Sequence, residues 1–435
     1  MPGGVAVDRS LEHLVRETAV HRSVYLDPDI FACELERIFG STWIYVAHES
    51  EIPEAGDFKR ATIGANPVIV VRGVDREVHV VFNRCAHRAV TVCQAQAGHT
   101  SFFRCAYHGW TYDLSGKLTG APFPKAYDDS FDRTLFGLRP VARVESYRGF
   151  VFACLDANVC GLREWLAGAA EYIDAFTDSS PSGSIVARSG SQRYWYKGNW
   201  KLQVEGSVDG YHPYVLHKTF FDMQTRRSGQ RSDMYSREDT ASFVAGLGNG
   251  HAVVDSRPEF AKSNVFLERM RMSPGGPELI ADLERQYGAD QARELVGRVG
   301  GNGFNIVIFP NLVLIQAQIR VIQPIAVDRT EVQIWPVTLD GVPARLNQMR
   351  LRAHELFFGP AGFGSPDDLE AFNRTQAGLA ASPVEWMDFS RGTNRERREG
   401  ERVTGEVTDE THQRDIYRTW QRLMAGIPNH ALAAT

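Results

Sequence analysis

The sequence predicts an α+β fold in which a small antiparallel β module of about 110 residues interrupts a larger α+β domain. Three observations carry that expectation. Between Trp43 and about Leu155 the chain is a series of short β-branched and aromatic runs cut by Gly, Pro, Asn and Asp. On both sides of this stretch the apolar spacing is helical. Late in the chain, Leu312–Ile325 and Thr330–Leu339 read as two long strands joined by a turn at Val327-Asp328-Arg329.

Taken in order, Leu11, Leu14 and Val15 sit at helical spacing among charged residues and predict a first helix. A second follows, capped by Asp27, with Pro28 suited to its first turn and Phe31, Leu35, Ile38 and Phe39 as one apolar stripe. Strands are expected at Pro67–Val71, Val78–Phe82, Thr100–Arg104 and Gly149–Leu155. From Gly161 the period is helical again, with Leu162, Trp165, Leu166, Ala169, Tyr172, Ile173 and Phe176 on one side. A strand at Arg193–Tyr196 precedes a helix starting near Asn199, and Gln230–Gly303 is mixed. Helices at about Pro343–Phe357, Pro366–Ala380 and Asp409–Met424 close the chain. Arg391–Arg402 alternates charge sign without apolar spacing, which predicts a solvated loop or face.

The 435 residues suggest two or three domains. With 48 basic against 53 acidic side chains, formally −5, the chain lacks the basic surplus of a nucleic-acid binder. Apolar runs such as Pro67–Val71 are strand-sized, far short of the roughly 18 residues of a membrane span. Met1–Ser10 shows no basic segment followed by an apolar core, so no secretory signal and a cytoplasmic location are expected. Six cysteines then read as reduced thiols or metal ligands.

Four of the chemistry-bearing residues form an ordered set: Cys85-Ala86-His87, then, after seventeen residues, Cys105-Ala106-Tyr107-His108. Each half offers one thiolate and one imidazole from a tight loop between strand-like runs. Such a set suits zinc or an iron–sulfur centre. Zinc fingers usually group two cysteines and then two histidines, whereas a Rieske-type [2Fe–2S] cluster takes two cysteines on one iron and two histidines on the other, so the alternating order favours the cluster. The competing reading is a zinc ribbon. Cys33, Cys93, Cys154 and Cys160 have no matching partners and read as buried small apolar side chains.

A second set lies in Glu205-Gly206-Ser207-Val208-Asp209-Gly210-Tyr211-His212-Pro213 with His217 beyond it. On a helix Glu205, Asp209 and His212 would fall at i, i+4 and i+7, on one face. Pro213 disfavours helical dihedrals at His212 and should bend the chain there, swinging His217 back to the same metal. Two histidines and one carboxylate are the oxygen-activating arrangement of non-haem Fe(II). Asp209 or a distant carboxylate could complete it, and spacing leaves that open.

These residues make the chain resemble the large (α) subunit of a Rieske non-haem iron aromatic-ring-hydroxylating dioxygenase. Cys85-x-His87…Cys105-x2-His108-Gly109-Trp110 is similar to that family's cluster motif, and Glu205…Asp209-Gly210-Tyr211-His212…His217 to its iron motif. The likeness runs along the chain: Phe39, Trp43, Glu51-Ile52-Pro53…Gly56-Asp57-Phe58 and Phe358-Gly359-Pro360-Ala361-Gly362 before Pro366-Asp367-Asp368 all agree with it. The resemblance implies a Rieske domain at 44–157 and a catalytic domain of 1–43 with 158–435, the latter an antiparallel sheet and helices around a mononuclear iron. It implies Cys85, His87, Cys105 and His108 as cluster ligands and His212, His217 and Asp368 as the iron triad. Asp209 becomes a catalytic bridge from His212 to the cluster ligand His108 of a neighbouring chain, hence a trimer. Many relatives carry Asn where this chain has Gly206.

The ungapped iron motif, Val321-Ile322-Gln323-Pro324 and the length are similar to the benzoate dioxygenase branch. That implies dihydroxylation of an aromatic carboxylate to a cis-dihydrodiol, with a Rieske-type monooxygenase or a pure electron carrier as alternatives. Phe358 would line the substrate pocket, and Arg320, Arg350 and Arg352 are candidate carboxylate donors. No flavin or nicotinamide fingerprint is present, so NAD(P)H electrons would arrive through a separate reductase or ferredoxin. A small β subunit (α3β3) or a plain α3 trimer is expected.

Overall fold

The structure is a computed structural model that describes residues 11–229, 240–262, 265–301 and 303–427. The Met1–Ser10 segment of the targeting argument and Gln230, where the mixed stretch begins, lie outside the described residues. The chain divides into two compact units, Phe39–Leu162 and Met1–Ile38 with Arg163–Thr435. No described helix is long and apolar enough to cross a membrane. The six cysteines form no disulfide; Cys33, Cys93 and Cys154 are buried and Cys160 is half-buried.

The smaller unit is built from antiparallel sheets. One has the order Val78–Phe82, Asn66–Arg72, Asp57–Ile63, Ala97–His99. Its Val68, Ile69, Val70 and Val71 are all fully buried, which explains an apolar run without alternation. Another pairs Arg143–Tyr147, Phe150–Cys154 and Ile44–His48. Arg148 and Gly149, both at positive φ (51° and 84°), make the tight turn between its first two strands. The expected Thr100–Arg104 strand shrinks to Phe103–Arg104, because the Thr100 hydroxyl donates to the Phe102 carbonyl (2.7 Å) and turns the chain. That short strand joins Thr111–Tyr112 and Leu118–Gly120 in a third sheet.

In the larger unit nine antiparallel strands form one sheet. Its order is Gln192–Tyr196, Arg329–Pro336, Gln318–Ala326, Leu312–Ile315, Phe304–Ile308, Ala252–Asp255, Phe243–Gly246, Arg402–Glu406, Arg397–Glu399. The single strand expected over Leu312–Ile325 is a hairpin instead, turning at Gln316 with φ 50°. The Arg391–Arg402 stretch is a solvated face with no buried residue. Arg397–Glu399 is the exposed sheet edge, while Arg395 donates to the buried Asp409 carboxylate (2.6 Å).

The first helix is a single 3-10 turn, Leu11–Leu14, because Val15–Arg16 pairs with Ala19–His21 as strand. Pro28–Arg37 is helical and Asp27 accepts from the Asp29 N–H (2.8 Å), as its sequence predicts. Of the expected stripe Ile38 and Phe39 are buried just past the helix end and Phe31 and Leu35 are half-buried, while Ile30, Cys33 and Glu34 also point inward. Glu34 can be there because its carboxylate accepts from Lys201 Nζ (2.5 Å), Trp420 Nε1 (2.6 Å) and Trp200 Nε1 (2.8 Å). The apolar stripe from Leu162 is split into Leu162–Leu166 and Ala169–Thr177, with Ala167 at φ 43° between them. The described part of the mixed segment holds two sheet strands and the helices Arg257–Ala261, Val265–Arg271, Gly276–Tyr287 and Ala289–Gly300. The closing helices are Ala344–Phe358, Ser365–Gly378 and Thr411–Met424.

Candidate metal centres

The two Cys/His loops share one backbone design. Cys85 N–H donates to Val90 O (2.8 Å) and Ala89 N–H to Cys85 O (3.0 Å); Cys105 N–H donates to Trp110 O (2.8 Å) and Gly109 N–H to Cys105 O (3.0 Å). The fourth residue after each cysteine sits at positive φ, 63° at Ala89 and 72° at Gly109. This equivalence follows from two hairpin ends presenting the same turn. Cys85 and Cys105 are each 2% exposed within the module's core, whereas His87 and His108 are exposed with ring centroids 4.6 Å apart. His87 lies flat on Trp110 (4.9 Å, 7°), and Phe131 and Phe136 brace the indole from its edges. The Tyr112 hydroxyl stands 3.1 Å from Cys85 Sγ and accepts from the Ala86 N–H (3.2 Å).

Four ligands of one tetrahedral ion, with bonds of about 2.0–2.3 Å, would lie within about 4 Å of one another. Among the described residues no three members of this set close to within 4.8 Å. A two-iron cluster, with paired thiolates at one end and paired imidazoles at the other, suits that wider spread better than a zinc ribbon.

The second centre begins on the Trp200–Ser207 helix, whose cap Asn199 accepts from the Lys201 N–H (3.1 Å). The helix stops at Ser207, so Glu205, Asp209 and His212 do not share a helical face. The cause is tertiary. Gly210 passes so close to the Val407 carbonyl that a Cβ would lie 2.1 Å from its oxygen, and the His412 ring bonds Val208 O (2.7 Å). The bend expected at His212 therefore lies upstream. His212 itself is helical (φ −62°, ψ −33°), and Pro213 opens the short helix Pro213–Leu216 that delivers His217.

His212 and His217 then stand with ring centroids 5.2 Å apart. Asp368, in the first turn of Ser365–Gly378, places Oδ1 3.1 Å from His217 Nε2 and 3.6 Å from His212 Nε2. One ligand atom from each of the three lies within 4.8 Å of the others, the one such group among the described residues. Donors on one face of a first-row ion, at bonds near 2.1 Å, sit roughly 3 Å apart, so the set fits a mononuclear metal. Asp209 stands outside it, with Oδ2 3.1 Å from His212 Nδ1 and Oδ1 accepting from the Tyr211 N–H (2.8 Å). Burial opposes its ionisation, but the hydrogen bond and charge of His212 outweigh that and hold the carboxyl below its usual value. Asp367 Oδ2 stands 3.6 Å from His217 Nδ1, too far for a hydrogen bond, an approach that spacing did not reveal because the two residues are far apart in the chain.

Phe357 packs edge-on against His217 (5.1 Å), and Phe220 packs on Phe357 (4.7 Å). Phe358 is buried against Phe357 (4.7 Å) and His354 (5.6 Å). Gly206, on the helix leading to the site, has Phe372 so near that a Cβ would lie 2.7 Å from the ring.

Glu205 points away from the ligand set and accepts from the Tyr25 hydroxyl (2.8 Å) and from Tyr417. Burial pushes its pKa up to about 7 from 4.5. A raised carboxyl favours folding most when protonated, so its contribution is full below pH 4.5 and is lost as pH rises through 7. Glu205→Gln is expected to remove a loss on the order of 1–3 kcal/mol between pH 5 and 8. Denaturant unfolding across that range checks it, and parallel profiles for both chains would refute the burial argument.

Residues 42–147 match the family model for the Rieske [2Fe-2S] domain, and residues 162–426 that for the ring hydroxylating alpha subunit catalytic domain. The chain is 37% identical over 385 residues to the toluate 1,2-dioxygenase α subunit of Pseudomonas putida, covering 85% of this chain and 81% of that one. The anthranilate 1,2-dioxygenase large subunit of Acinetobacter baylyi is 33% identical over 382 residues, covering 86% and 80%. A naphthalene 1,2-dioxygenase solved with indole in its active site superposes with a TM-score of 0.82 at 26% identity, covering 97% of this chain and 96% of that one.

Proposed function

Because the chain belongs to the family of ring-hydroxylating dioxygenase α subunits, we propose that it adds both atoms of dioxygen to the ring of an aromatic carboxylate, giving a cis-dihydrodiol. Its cofactors are a Rieske [2Fe–2S] cluster and a mononuclear non-haem iron. When bound, the cluster supplies single electrons and the iron activates dioxygen.

Cys85 and Cys105 hold one iron of the cluster and His87 and His108 the other, while His212, His217 and Asp368 hold the mononuclear iron. The closed His212/His217/Asp368 triad is the observation that carries this reading. Asp209 accepts the Nδ1 proton of His212, which fixes the tautomer and aims Nε2 at the metal; Asp367 adds only a nearby negative charge, 3.6 Å from His217 Nδ1. Phe357 and Phe220 wall the His217 side with apolar surface and exclude water there. Support for an acid as substrate comes from the toluate and anthranilate relatives.

The assembly in this reading is an α3 trimer, with or without a small β subunit, fed by a separate reductase or ferredoxin. Asp209 of one chain would meet His108 of the next, and the exposed Tyr107, Tyr211 and Tyr214 beside these residues suit a buried interface.

The Tyr112 hydroxyl donates to Cys85 Sγ and so stabilises the more negative, reduced cluster. Tyr112→Phe is expected to lower the reduction potential without loss of cluster, as read by an EPR-monitored titration; an unchanged potential would remove the hydroxyl from that role. Turnover of benzoate, toluates and anthranilate under ¹⁸O₂, with electrons supplied by a reductase, tests the function. A diol carrying two labelled oxygens is expected. A phenol carrying one would make the chain a monooxygenase, and oxygen uptake only with neutral arenes would refute the acid.

A further inference from the structure

Arg320 lies on the Gln318–Ala326 strand of the nine-stranded sheet and is 2% exposed. Its Nε and Nη2 are buried and have no hydrogen-bond partner among the described residues, nor does any described carboxylate pair with it. A buried guanidinium edge without an acceptor is costly, as any unpaired buried charge is, so an anion supplied from outside the protein is the simplest explanation. Gln318, two residues earlier and on the same face, accepts from His354 Nε2 at Oε1 (3.0 Å) but leaves its own Nε2 buried and unpartnered. Two neighbouring side chains thus aim unused N–H groups from one sheet face.

The rest of that face leads towards the iron triad. Arg320 and Gln192 are both in register with Ile334, and Tyr194 follows Gln192 on the same side. The Tyr194 phenol lies near enough to both Arg320 and Asp368 for each charge to act on it. The Arg320 guanidinium sits 5.5 Å over the Phe358 ring, Phe358 touches Phe357, and Phe357 touches His217. The surroundings are therefore aromatic, with a forked donor at one end and the triad at the other. The other two candidate arginines differ: Arg350 Nη1 donates to Val299 O (2.7 Å) at the end of the Ala289–Gly300 helix, with its Nε buried and unpartnered, and Arg352 is exposed.

We propose that Arg320, assisted by Gln318 Nε2, binds the substrate's carboxylate and thereby makes the site selective for aromatic acids over neutral arenes. The assignment rests on the aromatic-acid reading given above. A guanidinium fork suits a carboxylate's two oxygens, whereas an ammonium offers a point charge only.

The test compares wild type, Arg320→Lys and Arg320→Met as holoenzymes, with benzoate and its neutral isostere nitrobenzene as substrates and 4-fluorobenzoate binding followed by ¹⁹F NMR. Arg320→Met is expected to weaken 4-fluorobenzoate binding and to lower the benzoate-to-nitrobenzene ratio of kcat/KM by at least ~30-fold, mostly through KM. Arg320→Lys should recover part of both. Equal losses for the two substrates at full iron and cluster content, or undiminished 4-fluorobenzoate binding, would overturn the assignment. Should Arg320→Met fail to fold, Arg320→Lys decides: a higher KM for benzoate alone supports it, and an equal shift for both overturns it. Wild type that neither binds 4-fluorobenzoate nor oxidises benzoate, yet oxidises nitrobenzene, would instead sink the aromatic-acid reading and the role of Arg320 with it.

Discussion

Asp368→Ala is expected to give a folded protein with its cluster absorption intact, no retained mononuclear iron and no product. Asp368 is the anionic member of the triad, its Oδ1 3.1 Å and 3.6 Å from the two imidazoles. Without it two neutral nitrogens remain, and the loss in affinity should exceed the ~10–100-fold typical of removing a partner behind a ligand. The fold should tolerate the change, because an acidic side chain in a first helical turn contributes only about 0.3–1 kcal/mol through the helix dipole. The iron-to-cluster ratio by metal analysis, beside product formation, reads the outcome. Iron retained at wild-type occupancy would show that Asp209 or Asp367 is the carboxylate ligand.

Lys201→Met is expected to destabilise the larger unit by about 3–5 kcal/mol, since it leaves the Glu34 carboxylate charged and buried with only two indole donors. Lys201 and Glu34 are 3% and 0% exposed in their side chains and 2.5 Å apart. Their pairing ties Pro28–Arg37 to Trp200–Ser207, and Trp420 adds Thr411–Met424. Denaturant unfolding measures the loss, and Glu34→Gln added to Lys201→Met should recover part of it. A change below about 1 kcal/mol would mean that water reaches the pair.

Which features were readable from the sequence follows from where their causes lie. The Cys85 and Cys105 loops are closed by bonds within six residues, so the spacing of their cysteines and histidines already contains the turn. The cap at Asp27 and the hairpin turn after Ala326 are equally local. Spacing left the carboxylate beside His212 and His217 open, and only the family resemblance pointed to Asp368, because that contact exists only once the Ser365–Gly378 helix is packed. The helix end at Ser207 has its cause in Val407 and His412, so periodicity overran it to Asp209. Periodicity places Ile38 and Phe39 inside but not Glu34, which counts as polar until Lys201, Trp200 and Trp420 are placed around it. Likewise Gln316, Gln318 and Arg320 alternate with Ala317, Ile319 and Val321 in a strand-like pattern, which hides the turn at Gln316.

The contact between Gly206 and Phe372 bears on how such a pocket can be altered. Phe372 sits one turn after Asp368 on its helix, so a bulkier residue at 206 would act as a lever on a member of the triad. Positions 206 and 372 should accordingly drift together across generations, and a library that varies one while holding the other fixed would mostly sample broken enzymes.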